Sequence, residues 1–290
     1  MSLPLAGKRV AVSLGASFMG YATHAGFLAA LTRGGLRPVA LGGSSAGAIA
    51  AGMHAAGLGL EEIRAAVLGA PLPLSFLKDT PWVWRQLCDI LTRRQPGFFD
   101  ARGAVSYLET LLGRRDIQEL CDPRLLIALT DLRSGEAVFA CEGPLALAIT
   151  ASCAVPLVFS EMIWQGRAVV DGGVVHEAPV DPWFTDPDVD VILIHRIQHP
   201  SRGREPWPLP LRMIRALARA HHATGNQWLA DRQRLARLHG KELLVTTTTV
   251  AAPSLWSRAS RERCYAAGEA AAQAFLTSLE SSGRDRKPGT

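Results

Sequence analysis

The sequence predicts an α/β fold, a three-layer α/β/α sandwich whose central sheet is mainly parallel. Three observations carry that expectation. Short apolar runs alternate along the chain with longer helical patterns, the order that builds a sheet covered by helices on both faces. Two strand-to-helix junctions, Gly15 to Gly20 and Gly42 to Gly47, are made largely of small residues. No internal repeat or long linker interrupts the 290 residues, so residues 1–282 are expected to form one domain, followed by a basic tail, 283–290, expected to be disordered.

Taken in order, Lys8 to Leu14 alternates as a first strand should, Gly15-Ala16-Ser17-Phe18-Met19-Gly20 turns the chain, and Thr23 to Arg33 is helical until Gly34-Gly35. Pro38 to Leu41 reads as a short buried strand, and Ala46 to Met53 as a tightly packed helix. From Gly57 to Pro96 helices are joined at Pro71, Pro73 and Pro81, with Phe76, Trp82 and Trp84 as an aromatic patch that suits either core packing or a greasy lid. Asp100 is the expected N-cap of a helix over Ala101 to Leu112. Arg124 to Thr130 and Ala137 to Ala140 form a hairpin about Asp131 to Glu136. After a helix from Leu145 to Cys153, ended by Val155-Pro156, a second hairpin pairs Ile163-Trp164 with Ala168 to Val170. Val189 to Ile194 and Glu242 to Thr246 complete the strands, and Leu209 to Arg237 and Ser260 to Leu279 are the last helices.

Composition narrows the function. With 48% hydrophobic residues and a net charge of +5, the chain suits a compact globular protein, and no stretch reads as a membrane span. The N-terminus does not read as a signal peptide, so a cytoplasmic location is expected. Between Arg202 and Lys241 nine basic residues face two acidic ones, which fits a solvated helix face or peripheral contact with an anionic membrane. Cys88, Cys121, Cys141, Cys153 and Cys264 are odd in number, lack Cys-x-x-Cys spacing and read as buried free thiols. No metal is expected, since His221-His222 lacks helical ligand spacing and no calcium loop is present. Neither a cofactor nor a nucleic-acid partner is called for.

Chemistry concentrates at three turns. Gly43-Ser44-Ser45-Ala46-Gly47 fits the Gly-x-Ser-x-Gly nucleophile elbow, in which Gly43 and Gly47 clear space around a serine held on a sharp turn. Alone, it reads equally as an ordinary glycine-serine turn. Gly15, Ala16, Ser17 and Phe18 could aim backbone N–H groups at a developing oxyanion, or could simply connect strand to helix. Asp171-Gly172-Gly173 places a carboxylate on a turn at a strand end, which alone is a solvated turn or a cap.

The order of these segments resembles the patatin-like phospholipase family. Gly15 to Gly20 with His24-Ala25-Gly26 resembles its glycine-rich oxyanion segment, Thr130-Asp131-Leu132 with Gly135 a recurrent strand and turn, Ala151 to Pro156 its Ala-Ser-x-Ala-x-Pro segment, and Asp171-Gly172-Gly173 its Asp-Gly-Gly box. The resemblance implies a lipid acyl hydrolase with a catalytic dyad, Ser45 as nucleophile and Asp171 as base, working through an acyl-enzyme on fatty-acyl esters. It also implies an oxyanion hole from the Gly15 to Phe18 backbone. Met19 stands where the family often has Arg or Lys, which weakens the expectation of a charged headgroup more than that of ester hydrolysis. Three rivals stay open: acyl transfer or thioester hydrolysis on the same dyad, a lipid-binding protein without turnover, and an ordinary α/β-hydrolase. The last would need a histidine after its acid, from among His176, His195, His199, His221, His222 and His239, with His195 at a strand end the one to examine.

Overall fold

In the computed structural model the described residues are 5, 7–77, 99–200, 225–254 and 256–284. Among these residues eight strands form one sheet: β1 Val10–Leu14, β2 Ala40–Gly43, β3 Arg124–Asp131, β4 Ala137–Ala140, β5 Met162–Trp164, β6 Arg167–Asp171, β7 Val191–Gln198 and β8 Glu242–Thr249. Strands β3, β2, β1, β7 and β8 lie side by side and parallel. The antiparallel pairs are β4 and β6 against β3, and β5 against β6. The hairpins expected about Asp131 to Glu136 and about Gln165 to Arg167 are therefore both present.

The helices are α1 Tyr21–Arg33, α2 Ala46–Ala55, α3 Leu60–Leu68, α4 Pro71–Ser75, α5 Arg102–Leu112, α6 Leu145–Ser152 and α7 Arg258–Arg284, with a further helical run over 225–238. Strand alternation explains how they are layered. Val10, Val12 and Leu14 of β1, Leu41 of β2, Ile127 and Leu129 of β3 and Leu193 of β7 face one core, shared with Phe27 and Leu28 of α1 and Ala48 and Ile49 of α2. Ala11, Ala40, Leu126, Ile192 and Ile194, one residue out of phase, face a second core closed by Trp183, Phe184, Ala236 and Trp228. Because side chains alternate with a period of two, a strand buried on both faces is apolar at most positions, and the exceptions here, Ser13 of β1 and His195 and Arg196 of β7, are buried with hydrogen-bond partners.

Some expectations shift. The strand expected over Val189 to Ile194 runs Val191–Gln198, and that expected over Glu242 to Thr246 extends to Thr249, because the two pair in parallel along their whole length. Asp100 caps α5 from outside the helix, its carboxylate accepting from the Arg102 N–H at 2.9 Å. Of the cysteines expected to be buried, Cys153 and Cys264 are, whereas Cys121 and Cys141 are exposed because they lie on turns flanking β3 and β4. Phe76 is buried and packs at 5.9 Å from Phe159, which is core packing. Trp82, Trp84, Cys88, His221, His222 and the first part of the helix expected from Leu209 lie outside the described residues. Among the described residues no helix is long and apolar enough to cross a membrane.

Candidate active site

The parallel strands end along one edge of the sheet, where side chains from different loops can converge. Leu14, the last residue of β1, pairs with Gly43, the last of β2, so the Gly15 loop and the Ser45 elbow leave the sheet side by side. Gly43 pairs with Ile127 of β3, and Asp171 of β6 lies opposite Leu129, two residues further on. Register alone therefore carries Asp171 to the height of the elbow.

Ser45 holds φ 54° and ψ −120°, a conformation that few non-glycine residues adopt. The strain suits a nucleophile, since it lifts the hydroxyl off the strand and sets it at the start of α2. Its Oγ donates to Asp171 Oδ2 at 2.6 Å. The other carboxylate oxygen, Oδ1, accepts the Gly173 N–H at 2.7 Å. Burial drives the Asp171 pKa up to about 7, against the lowering effect of these two hydrogen bonds. A carboxyl group poised there can take a proton from a hydroxyl near neutral pH.

The four motif glycines are explained by close approach. A side chain at Gly47 would overlap the Leu14 carbonyl, and one at Gly172 the Ala128 carbonyl. Built Cβ atoms at Gly43 and Gly173 would sit 2.5 Å from Ala48 Cα and from Ala16 Cβ respectively. The contact at Gly173 shows the Gly15 loop, the elbow and the Asp171 turn meeting in one place, since the same Cβ would lie 3.7 Å from Ser44 Oγ.

Only part of the loop has donors to offer. The Gly15 N–H donates to the His195 carbonyl at 3.0 Å and the Ala16 N–H to the Glu177 carbonyl at 2.7 Å, so neither can serve an oxyanion. Among the described residues the Ser17 and Phe18 N–H groups have no hydrogen-bond partner. Four candidate donors thus reduce to two, because the Gly15 N–H continues the sheet's bonding to β7 and the Ala16 N–H is taken by the loop that follows Asp171.

Ser152 lies in the Ala151 to Pro156 segment, and the sequence assigns it no role of its own. Its Oγ accepts the Ser45 N–H at 2.9 Å and donates to the Ala128 carbonyl at 2.7 Å, which pins the strained elbow peptide to β3. Nothing local signals this, since the partners are 107 residues apart. Removing the hydroxyl leaves two buried backbone groups without partners, so Ser152→Ala is expected to lower stability by about 1–3 kcal/mol. Urea unfolding measures it, and a change within 0.5 kcal/mol, about the scatter of neutral substitutions, would show the elbow to be held otherwise. Cys153 lies against the dyad, and burial, then the Asp171 charge, push its thiol pKa well above the ordinary value. It is a packed thiol and not a thiolate nucleophile.

Among the described residues, the histidines that could serve as alternative bases are engaged elsewhere. His195 spends its ring nitrogens on His24 Nδ1, at 2.9 Å, and Thr248 Oγ1, at 2.8 Å. His176 pairs with Asp181 at 3.0 Å, His199 contacts Ser17 Oγ at 3.0 Å, and His239 stacks on Phe184. Asp131, which all of those histidines follow in the chain, caps its own turn through the Arg133 and Ser134 N–H groups, which hold its pKa down. Among the described residues no three His, Cys, Asp or Glu side chains cluster as metal ligands would.

The profile of one family, Patatin-like phospholipase, matches residues 12–183, a span that takes in the loop, the elbow and Asp171. The chain belongs to the patatin-like phospholipase family. Two curated relatives, uncharacterized NTE family proteins of Mycobacterium bovis and Mycobacterium tuberculosis, are each 32% identical over 233 residues, covering 77% of this chain. The chain spans about 61% of the length of these relatives. Among solved structures, VipD from Legionella pneumophila superposes with a TM-score of 0.57 at 14% identity, over 94% of this chain and 67% of VipD. At that identity the likeness shows a shared patatin-like fold. The three-layer sandwich expected from the sequence is thus the family's architecture.

Proposed function

We propose that this patatin-like protein is a serine lipid acyl hydrolase that cleaves fatty-acyl esters through an acyl-enzyme on Ser45, with Asp171 as its base. The observation that carries the proposal is the 2.6 Å hydrogen bond from Ser45 Oγ to Asp171 Oδ2, made from a strained elbow backbone. In the first step Ser45 Oγ bonds to the ester carbonyl carbon while its proton passes to Asp171. Negative charge gathers on the carbonyl oxygen, where the Ser17 and Phe18 N–H groups are the free donors and the start of α2 adds a favourable dipole. Collapse breaks the ester C–O bond, and Asp171 returns its proton to the leaving alcohol. Water then attacks the acyl carbon, gives a proton to Asp171, and the fatty acid departs as that proton goes back to Ser45 Oγ.

The surroundings support an apolar acyl chain. Phe18, Leu157, Val174 and Val175 are 37–54% exposed, and each lies in the loop itself or within four residues of Asp171 or of Ala154, whose carbonyl holds the Asp171 N–H at 2.9 Å. Exposed apolar side chains grouped at a reactive edge suit a lipid substrate better than a polar one. Met19 is partly buried and packs against the core with φ 54°, so the loop offers no cation at that position, and we favour esters without an anionic headgroup. Peripheral contact with a membrane is part of the proposal, through this apolar rim.

A fluorophosphonate probe tests it. The expected result is one probe per protein, mapped to Ser45, together with hydrolysis of para-nitrophenyl esters at some acyl chain length. A protein that stays unlabelled and inactive across short and long chains would instead be a lipid binder, and the proposal would fail.

A further inference from the structure

Beneath the Gly15 loop lies a chain of buried polar groups that the reaction above does not use. His24, on α1, sets Nε2 2.8 Å from the Gly15 carbonyl and Nδ1 2.9 Å from His195 Nδ1. His195, on β7, sets Nε2 2.8 Å from Thr248 Oγ1 of β8. Both rings are fully buried, and Phe27 stacks on His195 at 3.8 Å. Burial lowers the His24 pKa to about 3 and that of His195 well below its ordinary value, so both are neutral at physiological pH.

Neutrality fixes every proton in the chain. The Gly15 carbonyl can only accept, so His24 carries its proton on Nε2 and accepts at Nδ1. His195 must then donate from Nδ1, which leaves its Nε2 to accept the Thr248 hydroxyl proton. The result is a one-way series of donors from Thr248 through His195 and His24 to the Gly15 carbonyl.

That carbonyl belongs to the peptide whose N–H end, on Ala16, donates to the Glu177 carbonyl at 2.7 Å. Glu177 is itself held on the far side by a buried, two-pronged ion pair with Arg196, at 2.6 and 2.9 Å. One peptide plane is therefore gripped at both ends, and the next two N–H groups in the chain are the free ones of Ser17 and Phe18. A donor aimed at a developing charge is effective only when its direction is set in advance, and a small misplacement costs orders of magnitude.

We propose that Thr248, His195 and His24 form a positioning relay that clamps the Gly15–Ala16 peptide and so aims the Ser17 and Phe18 N–H groups at the transition-state oxyanion. The inference deepens the hydrolase reading and rests on it. None of the three residues touches substrate. Their effect passes through the loop, and it should appear in kcat and leave KM nearly unchanged.

The test uses His24→Leu, His24→Gln and Thr248→Val, assayed on the ester that the wild type prefers at a temperature where each variant is folded. Gln can still present an N–H to the Gly15 carbonyl, whereas Leu cannot. His24→Leu is expected to lower kcat by about 10- to 100-fold with KM within about 3-fold, given what a single misaimed oxyanion donor costs, and His24→Gln to recover most of that loss. Thr248→Val, close in shape and far from the dyad, is expected to lower kcat by about 3- to 10-fold, a fraction of the cost of losing a donor outright. It decides the matter if His24→Leu does not fold: an unchanged kcat for Thr248→Val overturns the relay. Equal kcat for His24→Gln and His24→Leu also overturns it, because the loss would then reflect packing alone. Nitrogen-15 spectra of the histidine rings give a readout that does not depend on turnover. His24 protonated at Nε2 and His195 at Nδ1, unchanged from pH 5 to 8, are expected even if the hydrolase reading fails, and titration of either ring in that range overturns the relay.

Discussion

Asp171→Asn is expected to lose about 10²–10⁴-fold in kcat, the range for removing a general base, while making the protein more stable at pH 8. Both effects follow from one cause. The carboxyl group is buried, and its pKa is raised from 3.8 to about 7. At low pH the group is protonated whether the chain is folded or unfolded, and the raised value costs nothing. As the pH climbs from about 4 to about 7, the unfolded chain releases the proton while the folded chain keeps it, so stability falls through that window and levels off above it. The rise from 3.8 to about 7 corresponds to a penalty of about 4 kcal/mol as an upper bound. Asparagine keeps the shape, can accept from the Gly173 N–H and donate to Ser45, and carries no charge to bury. It should therefore gain about 1–4 kcal/mol at pH 8 and progressively less toward pH 4. Ser45→Ala should also abolish turnover but without this gain, because the carboxylate stays buried and loses the donor that eased its ionisation. In the wild type kcat/KM should rise with pH through about 7, since only the ionised carboxylate can accept the serine proton. Urea melts of the three proteins from pH 4 to 8, beside a pH–rate profile, read all of this. A variant Asp171→Asn that is active, or that is no more stable than wild type at pH 8, would remove Asp171 from the role of buried base.

The second large effect is structural. Gly47→Ala is expected to destabilise the protein by about 3 kcal/mol or more, the upper end for overpacking, because the new methyl group would overlap the Leu14 carbonyl. That carbonyl belongs to β1, at the centre of the sheet, and α2 cannot move away without dragging the elbow with it. Gly172→Ala meets the Ala128 carbonyl in the same way. Gly135→Ala makes the instructive contrast. Gly135 has φ +72° but nothing within 4 Å of its built Cβ, so the cost there is limited to backbone strain of about 1 kcal/mol. Thermal unfolding of the three variants ranks the two causes. If Gly47→Ala were no worse than Gly135→Ala, the elbow would have room that this packing denies it.

The contrast also separates the two uses of glycine in this chain, backbone freedom and close approach. Gly43, Gly47, Gly172 and Gly173 stand out in the sequence because they flank a serine and follow an acid, and clearance around the serine is the expected reason for the first two. None of the four has a positive φ: Gly47, Gly172 and Gly173 avoid collisions with segments far along the chain, and Gly43 avoids one with the start of α2 at Ala48. The residue that does carry the strained backbone is Ser45.

Alternation and spacing in the chain were enough to determine the class of fold and the hairpins about Asp131 to Glu136 and Gln165 to Arg167, whereas Ser45 and Asp171 came together as a candidate pair only through the family resemblance. The fold class and the hairpins are written locally: a strand buried on both faces is apolar at most positions, and a hairpin needs a turn between two such runs. Tertiary structure alone decided the rest. It showed that Gly15 and Ala16 spend their N–H groups on His195 and Glu177, that Ser152 holds the elbow across 107 residues, and that His195 faces His24 and Thr248, away from the dyad. Hydrogen bonds of this kind join segments far apart in the chain, and each backbone N–H has the same chemistry whatever its residue. Which of them remains free to meet a substrate is set by packing, and no local pattern of side chains records it.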